Sequence, residues 1–394
     1  MTSNALFCRL SRPGIASCFG SNLDDIAHAL AHGVRGLSQV DRYTPGTPLS
    51  LGPVTQALPE DADWPFNHRS RNNRLIKAAL DALGDQLPAL LERVAPERIG
   101  VIMGSSTSGV SETEDAIART GAGNDFDDQY CYYRQELGAP SAFIAEHLGL
   151  KGPQWTISTA CTSGARALSA ARRLLATGRC DAVIAGGADT LCNLTVHGFS
   201  SLDAVSPTPC LPFSQHRRGI NIGEAAALFI VTRDEGGIQL TGYGETSDAH
   251  HISAPHPDGD GAARAMQRAL GMAGRTPTDI GYLNAHGTAT PHNDAMEARA
   301  IHRVFGDVAV PVSATKALTG HTLGAAGTLE AAFCWLALER QLLPLHVFDG
   351  AFDSALPPLA LVDNATPTAP LKAAMSNVFA FGGNNATLLL ERTS

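Results

Sequence analysis

Charge is scarce in this chain. Asp, Glu, Lys and Arg together supply only 17% of its 394 residues, and aromatic residues only 6%. Long apolar runs are missing as well. The longest, AAALFIV at 225–231 and AAFCWLAL at 331–338, fall far short of the roughly 18 residues a membrane span requires. The N-terminal MTSNALFCRLSRPG lacks an apolar stretch followed by a small-residue cleavage site. A soluble, cytoplasmic protein is the expectation. Basic residues are outnumbered 29 to 38, a net charge of −9, which argues against nucleic acid as the main partner. The eight cysteines form no CxxC pair, so neither a disulfide framework nor a zinc knuckle is expected, and a reducing compartment with mostly buried thiols fits. GGAD at 186–189 and FGGNN at 381–385 lack the GxGxxG setting of a dinucleotide site, and no metal site is expected.

What is present is apolar residue in quantity, 44% of the chain. Its length exceeds the roughly 250–300 residues that one hydrophobic core supports, which predicts two fused cores or one large layered unit. Short β-branched runs alternate with alanine-rich helical stretches. RIGVIMGSS (98–106), QWTIS (154–158) and CDAVIAGGAD (180–189) are expected as buried strands, and SGARALSAARRLLATG (163–178) as a helix closed by Gly178. The second half repeats the scheme: a long strand over 237–248, a helix over 260–273, a strand over 280–285 and a helix over 294–304. A strand at 310–315 and a helix over 321–341 follow, and two strand-like runs, KAAMSNVFA and NNATLLLER, close the chain around FGG. An α/β layered fold follows, with an internal duplication whose seam lies near RDEGG (233–237) and separates halves 1–235 and 236–394.

Three loops carry reactive residues. In ISTACTSGARAL, a strand ends near Ser158 and a helix begins near Thr162. Cys161 therefore sits at a helix tip, where unpaired N–H groups favour an anion and bring the thiolate nearer neutral pH. Small neighbours leave space for a carbonyl to approach. A cysteine in such a setting becomes informative when histidine can meet it. His286 in NAHGTATPHND and His321 in SATKALTGHTLGAAG both follow strands and adjoin glycine. His321 is expected at a helix start, which penalises the imidazolium and keeps the ring neutral. Lys316 lies on the same loop, and Glu330 is placed to reach back to His321 as its counter-ion.

Taken together these loops resemble the β-ketoacyl-acyl carrier protein synthases, the condensing enzymes of fatty acid and polyketide synthesis. TACTS matches the nucleophile motif at Cys161, and HGTAT the histidine loop at His286, Thr288 and Thr290. TKALTGHTLGAAG matches the lysine–histidine loop at Lys316, His321 and Glu330. FAFGGNN matches the C-terminal gate at Phe379, Phe381, Gly382 and Gly383. The motifs fall in family order between about 160 and 390, and PFSQHRRGINIGEAAALF (212–229) matches a further segment. The resemblance implies a thiolase-type, five-layered fold of two similar βαβαβαββ halves that works as a dimer. It implies an acyl thioester on Cys161, followed by decarboxylative condensation with malonyl-carrier protein. His286 and His321 would hold the enolate oxygen, and the N–H groups of Cys161 and Phe381 would form the oxyanion hole. Lys316 and Glu330 would set the charge and orientation of the histidines, and Thr288 and Thr290 would bind the pantetheine arm. Asp294 and Glu297 would brace the loop, although a first-turn position on a helix accounts for acids there equally well. Which histidine is the base stays open. No cofactor is implied beyond the pantetheine that the substrates carry.

Histidine at 321, where some relatives have asparagine, points to the chain-elongating type. FAFGGNN has no second cysteine, which argues against a thiolase or CoA acyltransferase. Intact Cys161 argues against a non-catalytic chain-length-factor subunit. The N-terminal start departs from the family pattern, Asn293 and Ala380 stand where glycine is usual, and Ala380 is expected to stiffen the gate. These departures are closer to aryl-polyene ketosynthases, which pair with a chain-length-factor relative, so a homodimer or such a heterodimer is expected. For docking an acidic carrier protein, Arg69, Arg71, Arg74 and Lys77 are candidates, with a solvated helix face as the plainer reading, and HRR (216–218) is a second. Chain length depends on tunnel walls around 105–145, which spacing does not resolve.

Overall fold

A computed structural model describes residues 7–120, 127–367 and 369–393. The strands are β1 (Arg9–Leu10), β2 (Gly14–Ala16), β3 (Ser38–Val40), β4 (Leu49–Leu51), β5 (Ile99–Gly104), β6 (Gln154–Ile157) and β7 (Ala182–Asp189). There follow β8 (Ala225–Thr232), β9 (Gly237–Ser247), β10 (Tyr282–Asn284), β11 (Pro311–Ser313), β12 (Ala360–Leu361), β13 (Ala373–Ala380) and β14 (Asn384–Thr393). β3 and β4 form a separate ribbon, and the other strands join in one 12-stranded sheet.

The duplication expected from pattern is written in the strand order. The first half runs β2-β8-β7-β5-β6 and the second β9-β14-β13-β10-β11. In each, the first two pairings are antiparallel and the last two parallel. β1 joins them by pairing with both β8 and β9. β7 and β8 are buried at every residue, as unbroken runs such as AAALFIVT require when both faces are covered.

Five layers result. The Ser163–Ala176 helix packs on β5 and β7, and against the Ala326–Arg340 helix, which packs on β13 and β14. These two make the central layer. Outside lie the Arg71–Ala82 and Ala139–Leu148 helices on the first half, and the Asp260–Ala273 helix on the second. Ala326 to Leu338 are all buried, so this helix is apolar on every side and needs no amphipathic pattern. The central helices meet closely because glycine faces glycine's neighbour. A Cβ on Gly164 would lie 2.5 Å from Thr328 Oγ1, and one on Gly327 would lie 2.5 Å from the Ala165 nitrogen. That contact brings the starts of both helices, and the loops before them, to one place.

Several elements differ from expectation. QWTIS is the sheet edge rather than a buried strand, and Trp155 is 38% exposed. The helix expected from 321 begins at Ala326, after a 3₁₀ turn over Leu323–Ala325, so His321 precedes the helix by a full turn. The helix expected at 294 starts at Pro291, capped by Thr290. The divergent N-terminal segment still supplies β1 and β2. No helix among the described residues is long and apolar enough to cross a membrane.

Candidate active site

Cys161 occupies a tight elbow between β6 and the Ser163–Ala176 helix. Ala160 adopts φ +52°, a left-handed conformation that costs a non-glycine residue about 1 kcal/mol or more. Neighbouring hydroxyls hold it. Ser163 Oγ donates to the Ala160 carbonyl at 2.6 Å and accepts from the Thr159 N–H at 2.9 Å, while Thr162 Oγ1 donates to the Thr159 carbonyl at 2.8 Å. The serine and threonine of TACTS are thus staples for the elbow.

His321 is fixed from both sides of its backbone. Its N–H donates to the Asn221 carbonyl at 2.6 Å, and its carbonyl accepts from the Gly223 N–H at 2.9 Å. The INIGEA segment is therefore a rail on which the His321 loop lies. His321 Nδ1 accepts the Leu323 N–H at 3.2 Å. A neutral ring so engaged carries its proton on Nε2, which lies 3.0 Å from Cys161 Sγ and donates to it. His286 stands edge-on to His321, ring centres 5.3 Å apart and planes at 86°. One donor atom from each of Cys161, His286 and His321 falls within 4.8 Å of the others.

Two buried carboxylates build the His286 loop. Glu297 accepts the N–H of His286 and of Gly287, both at 2.7 Å. Asp294 accepts from Ala289 N–H at 3.1 Å and from Phe213 N–H at 2.7 Å. Both brace the loop; Asp294 does so from the first turn of the Pro291–Phe305 helix, where a first-turn acid is also expected, and Glu297 from beyond that turn. Burial raises both, Asp294 to about 6 and Glu297 to about 7, against the pull of those N–H donors. Gly287 is obligatory: a Cβ there would lie 2.3 Å from that of Ala314.

Lys316 and Glu330 form a buried ion pair with each other. This corrects the expected pairing of Glu330 with His321. Burial lifts Glu330 to about 7, with Lys316 opposing. Burial first, and the Lys316 charge second, push both histidines well below their ordinary value, so both rings are neutral. Cys161 runs against the helix-tip expectation. Burial pushes its thiol up to about 12, only partly offset by Lys316. Desolvation outweighs the helix end, and the resting group is a thiol.

Cysteine and two histidines are also metal ligands. Here the donor chemistry does not fit a resident ion. His321 Nε2 bears a proton, His286 Nδ1 has no hydrogen-bond partner to orient the ring, and the Lys316 ammonium is close enough to bias both imidazoles.

The three side chains open into a cavity of about 520 Å³, which Thr288, Thr290, Phe379 and Phe381 also line. The Thr288 and Thr290 hydroxyls are 3.0 Å apart. Phe379 lies 6.0 Å from His286, and Phe381, 37% exposed at the mouth, lies 5.7 Å from Phe199. Gly382 and Gly383 have φ of +80° and +72°, so the gate turn needs both glycines. Ala380, expected to stiffen it, has φ −127° at the end of β13, a conformation open to any residue.

The proposed basic dock is drawn inward. Arg71 makes a two-pronged pair with buried Glu224 at 2.5 and 2.9 Å, and Arg69 donates to the Trp64 carbonyl at 2.8 Å. Arg74 donates to the Pro59 carbonyl at 2.7 Å, and Lys77 pairs with Asp81 at 2.5 Å. The three arginines tie the 54–64 loop to the start of the helix, whereas Lys77 pairs within the helix itself. Sequence reasoning missed Asp189. Fully buried, it accepts from Ser106 N–H at 2.8 Å, Thr107 N–H at 2.9 Å and Gly324 N–H at 2.6 Å. It locks the loop after β5 to the turn after His321, and its only sequence signal is an acid at a buried strand end.

Residues 75–236 match the family described as Beta-ketoacyl synthase, N-terminal domain, and residues 238–347 its C-terminal domain. The chain is 34% identical, over 80% of both lengths, to a 3-oxoacyl-[acyl-carrier-protein] synthase 2 of Staphylococcus aureus (strain COL).

The chain belongs to the β-ketoacyl synthase family.

Among solved structures, it is similar to a ketosynthase (ApeO) in complex with its chain length factor (ApeC) from Xenorhabdus doucetiae. That likeness has a TM-score of 0.93 and 45% identity over the whole of both chains. It is also similar to the ishigamide ketosynthase/chain length factor, with a TM-score of 0.89 and 29% identity over 99% of this chain and 100% of that one. The thiolase-like layering of this synthase family is the architecture described above.

Proposed function

We propose that this β-ketoacyl synthase catalyses decarboxylative condensation of malonyl-carrier protein with an acyl chain held on Cys161. The observation that carries the reading is the 3.0 Å contact between Cys161 Sγ and the protonated Nε2 of His321, with His286 edge-on beside it in one cavity. In the first half-reaction the thiol adds to an acyl thioester on pantetheine. Its proton passes to the departing pantetheine sulfur, and His321 Nε2–H stabilises the negative charge that builds on Sγ. In the second, malonyl thioester loses carbon dioxide and the bond's electron pair becomes an enolate. Leaving a buried N–H unpaired costs more than leaving a lone pair so, which favours Nε2–H on His286 too. Two Nε2–H groups then serve the enolate oxygen, with no charge to neutralise first. The enolate carbon attacks the Cys161 thioester, forming the carbon–carbon bond and expelling the thiolate, which takes up one proton from solvent. Cys161 and Phe381 N–H groups supply the oxyanion hole, and Thr288 and Thr290 bind the pantetheine arm. No resident cofactor or metal takes part.

A polyene- or polyketide-type pathway is proposed over housekeeping fatty acid synthesis, supported by the 45% identity to a ketosynthase in complex with its chain length factor. The partner is then a ketosynthase-like second subunit. The outer edge of β6, unpaired among the described residues and carrying exposed Trp155, suits continuation of the sheet. Incubation with acyl-carrier protein and peptide mapping should find the acyl mass on the Cys161 peptide. A protein that stays unacylated there is no condensing enzyme, and the non-catalytic subunit reading takes its place. Co-expression with a chain-length-factor homologue should give a one-to-one complex by native mass spectrometry.

A further inference from the structure

Of the residues lining the cavity, Arg218 is the one lysine or arginine. It is exposed, and among the described residues no carboxylate pairs with it. Its neighbours in HRR behave otherwise: His216 pairs with Asp349 at 2.7 Å, and Arg217 with Asp353 at 2.6 Å. Asp203, the lone carboxylate on the cavity wall, makes no ion pair with Arg218 either. The backbone places this free cation beside the arm-binding threonines. Gly219 N–H donates to the Ala289 carbonyl at 2.9 Å, and Ala289 stands between Thr288 and Thr290. Ile220 N–H donates to the Ala204 carbonyl at 2.7 Å, and a Cβ on Gly219 would lie 2.2 Å from that same oxygen, so the segment has little room to shift. Two more donors share the wall. His251 Nδ1 accepts the Ser253 N–H at 3.1 Å, which leaves Nε2 as its donor, and His292 stands in the first turn of the Pro291–Phe305 helix.

We propose that Arg218, on one cavity wall with His251 and His292, is the anchor for the phosphate of the incoming phosphopantetheine arm. This rests on the proposed function, since it names where that substrate's one fixed anion is held. An arm whose thioester lies at Cys161 and whose amides cross Thr288 and Thr290 stays within this cavity, and Arg218 is the one lysine or arginine on its wall. A guanidinium matches a phosphate with paired N–H donors.

Two measurements test it independently. Calorimetry of the whole protein, in complex with its partner subunit where one forms, compares 4′-phosphopantetheine with pantetheine. The phosphate should tighten binding in the parent, and Arg218→Gln should remove about tenfold of that gain, the scale of one charge-assisted hydrogen bond. Arg218→Lys should recover part of it. Rates of acyl transfer to Cys161 from acyl-phosphopantetheine and from acyl-N-acetylcysteamine, which has no phosphate, give the second. Arg218→Gln should slow only the first. Equal loss with both donors, or no loss with either, would overturn the anchor, as would equal binding of the phosphorylated and unphosphorylated arms. A parent that takes acyl from neither donor refutes the condensing function instead, while the calorimetry still decides on the anchor.

Discussion

Removing one member of the Lys316–Glu330 pair should cost far more than removing both. The two side chains are 2% and 3% exposed, and Glu330 Oε2 has no partner, so neither charge has water to fall back on. Lys316→Met leaves a buried carboxylate uncompensated, and Glu330→Gln leaves a buried ammonium facing an amide. Each break is worth about 3–5 kcal/mol, whereas replacing a buried pair entirely is often close to neutral. At about 2.1 cal/mol/K per residue, this chain has an unfolding entropy of about 0.8 kcal/mol/K, so each single variant should melt about 4–6 °C below the parent. The double variant should melt within about 2 °C of it, a coupling well above the scatter of independent sites. Calorimetric melting at one protein concentration and pH 8, above the raised value of Glu330, reads all four proteins. Single losses under about 1 °C, or a double loss equal to their sum, would refute the argument that the charges are mutually dependent.

Alkylation should report the state of the nucleophile. With the Cys161 thiol lifted to about 12, iodoacetamide labelling of its peptide should rise about tenfold per pH unit from 7 to 10, because only the thiolate reacts. A plateau below pH 8 would restore the helix tip as the dominant influence. Glu297→Gln presents an amide NH₂ to one of two N–H groups 2.7 Å away and should lower kcat about 10- to 100-fold with little change in KM, since it disturbs the His286 backbone rather than the mouth. A KM effect alone would remove Glu297 from that role. Gly327→Ala forces a methyl against the Ala165 backbone and should destabilise by about 1–3 kcal/mol while slowing acyl transfer to Cys161. Unchanged transfer would show that helix spacing does not govern the Cys161–His321 contact.

The three reactive loops were legible because each packs its information into a few adjacent residues: a strand end, a glycine and a helix start. The duplication was legible because strand and helix periods repeat along both halves. Partnerships between distant segments were not. Arg69, Arg71 and Arg74 have the spacing of a solvated helix face, yet most of their acceptors are carbonyls of the 54–64 loop, whose path no periodicity reveals. Glu330 lies one helical face from the His321 loop in sequence, but the nearest cation in space is Lys316. The thiol failed for a related reason. A helix tip can be read locally, whereas the loss of solvent around Cys161 comes from packing by the other half of the chain. Asp189 ends an unbroken apolar strand, and only the fold shows N–H groups from two distant loops converging on it.

The crossing of the Ser163–Ala176 and Ala326–Arg340 helices has a consequence for assembly. The sulfur is delivered by one repeat and the imidazoles by the other, so neither repeat alone holds a reaction centre. Until the two have docked, an early thiol meets no imidazole partner and premature acyl capture is disfavoured. Chemistry therefore waits on the docking of the two repeats.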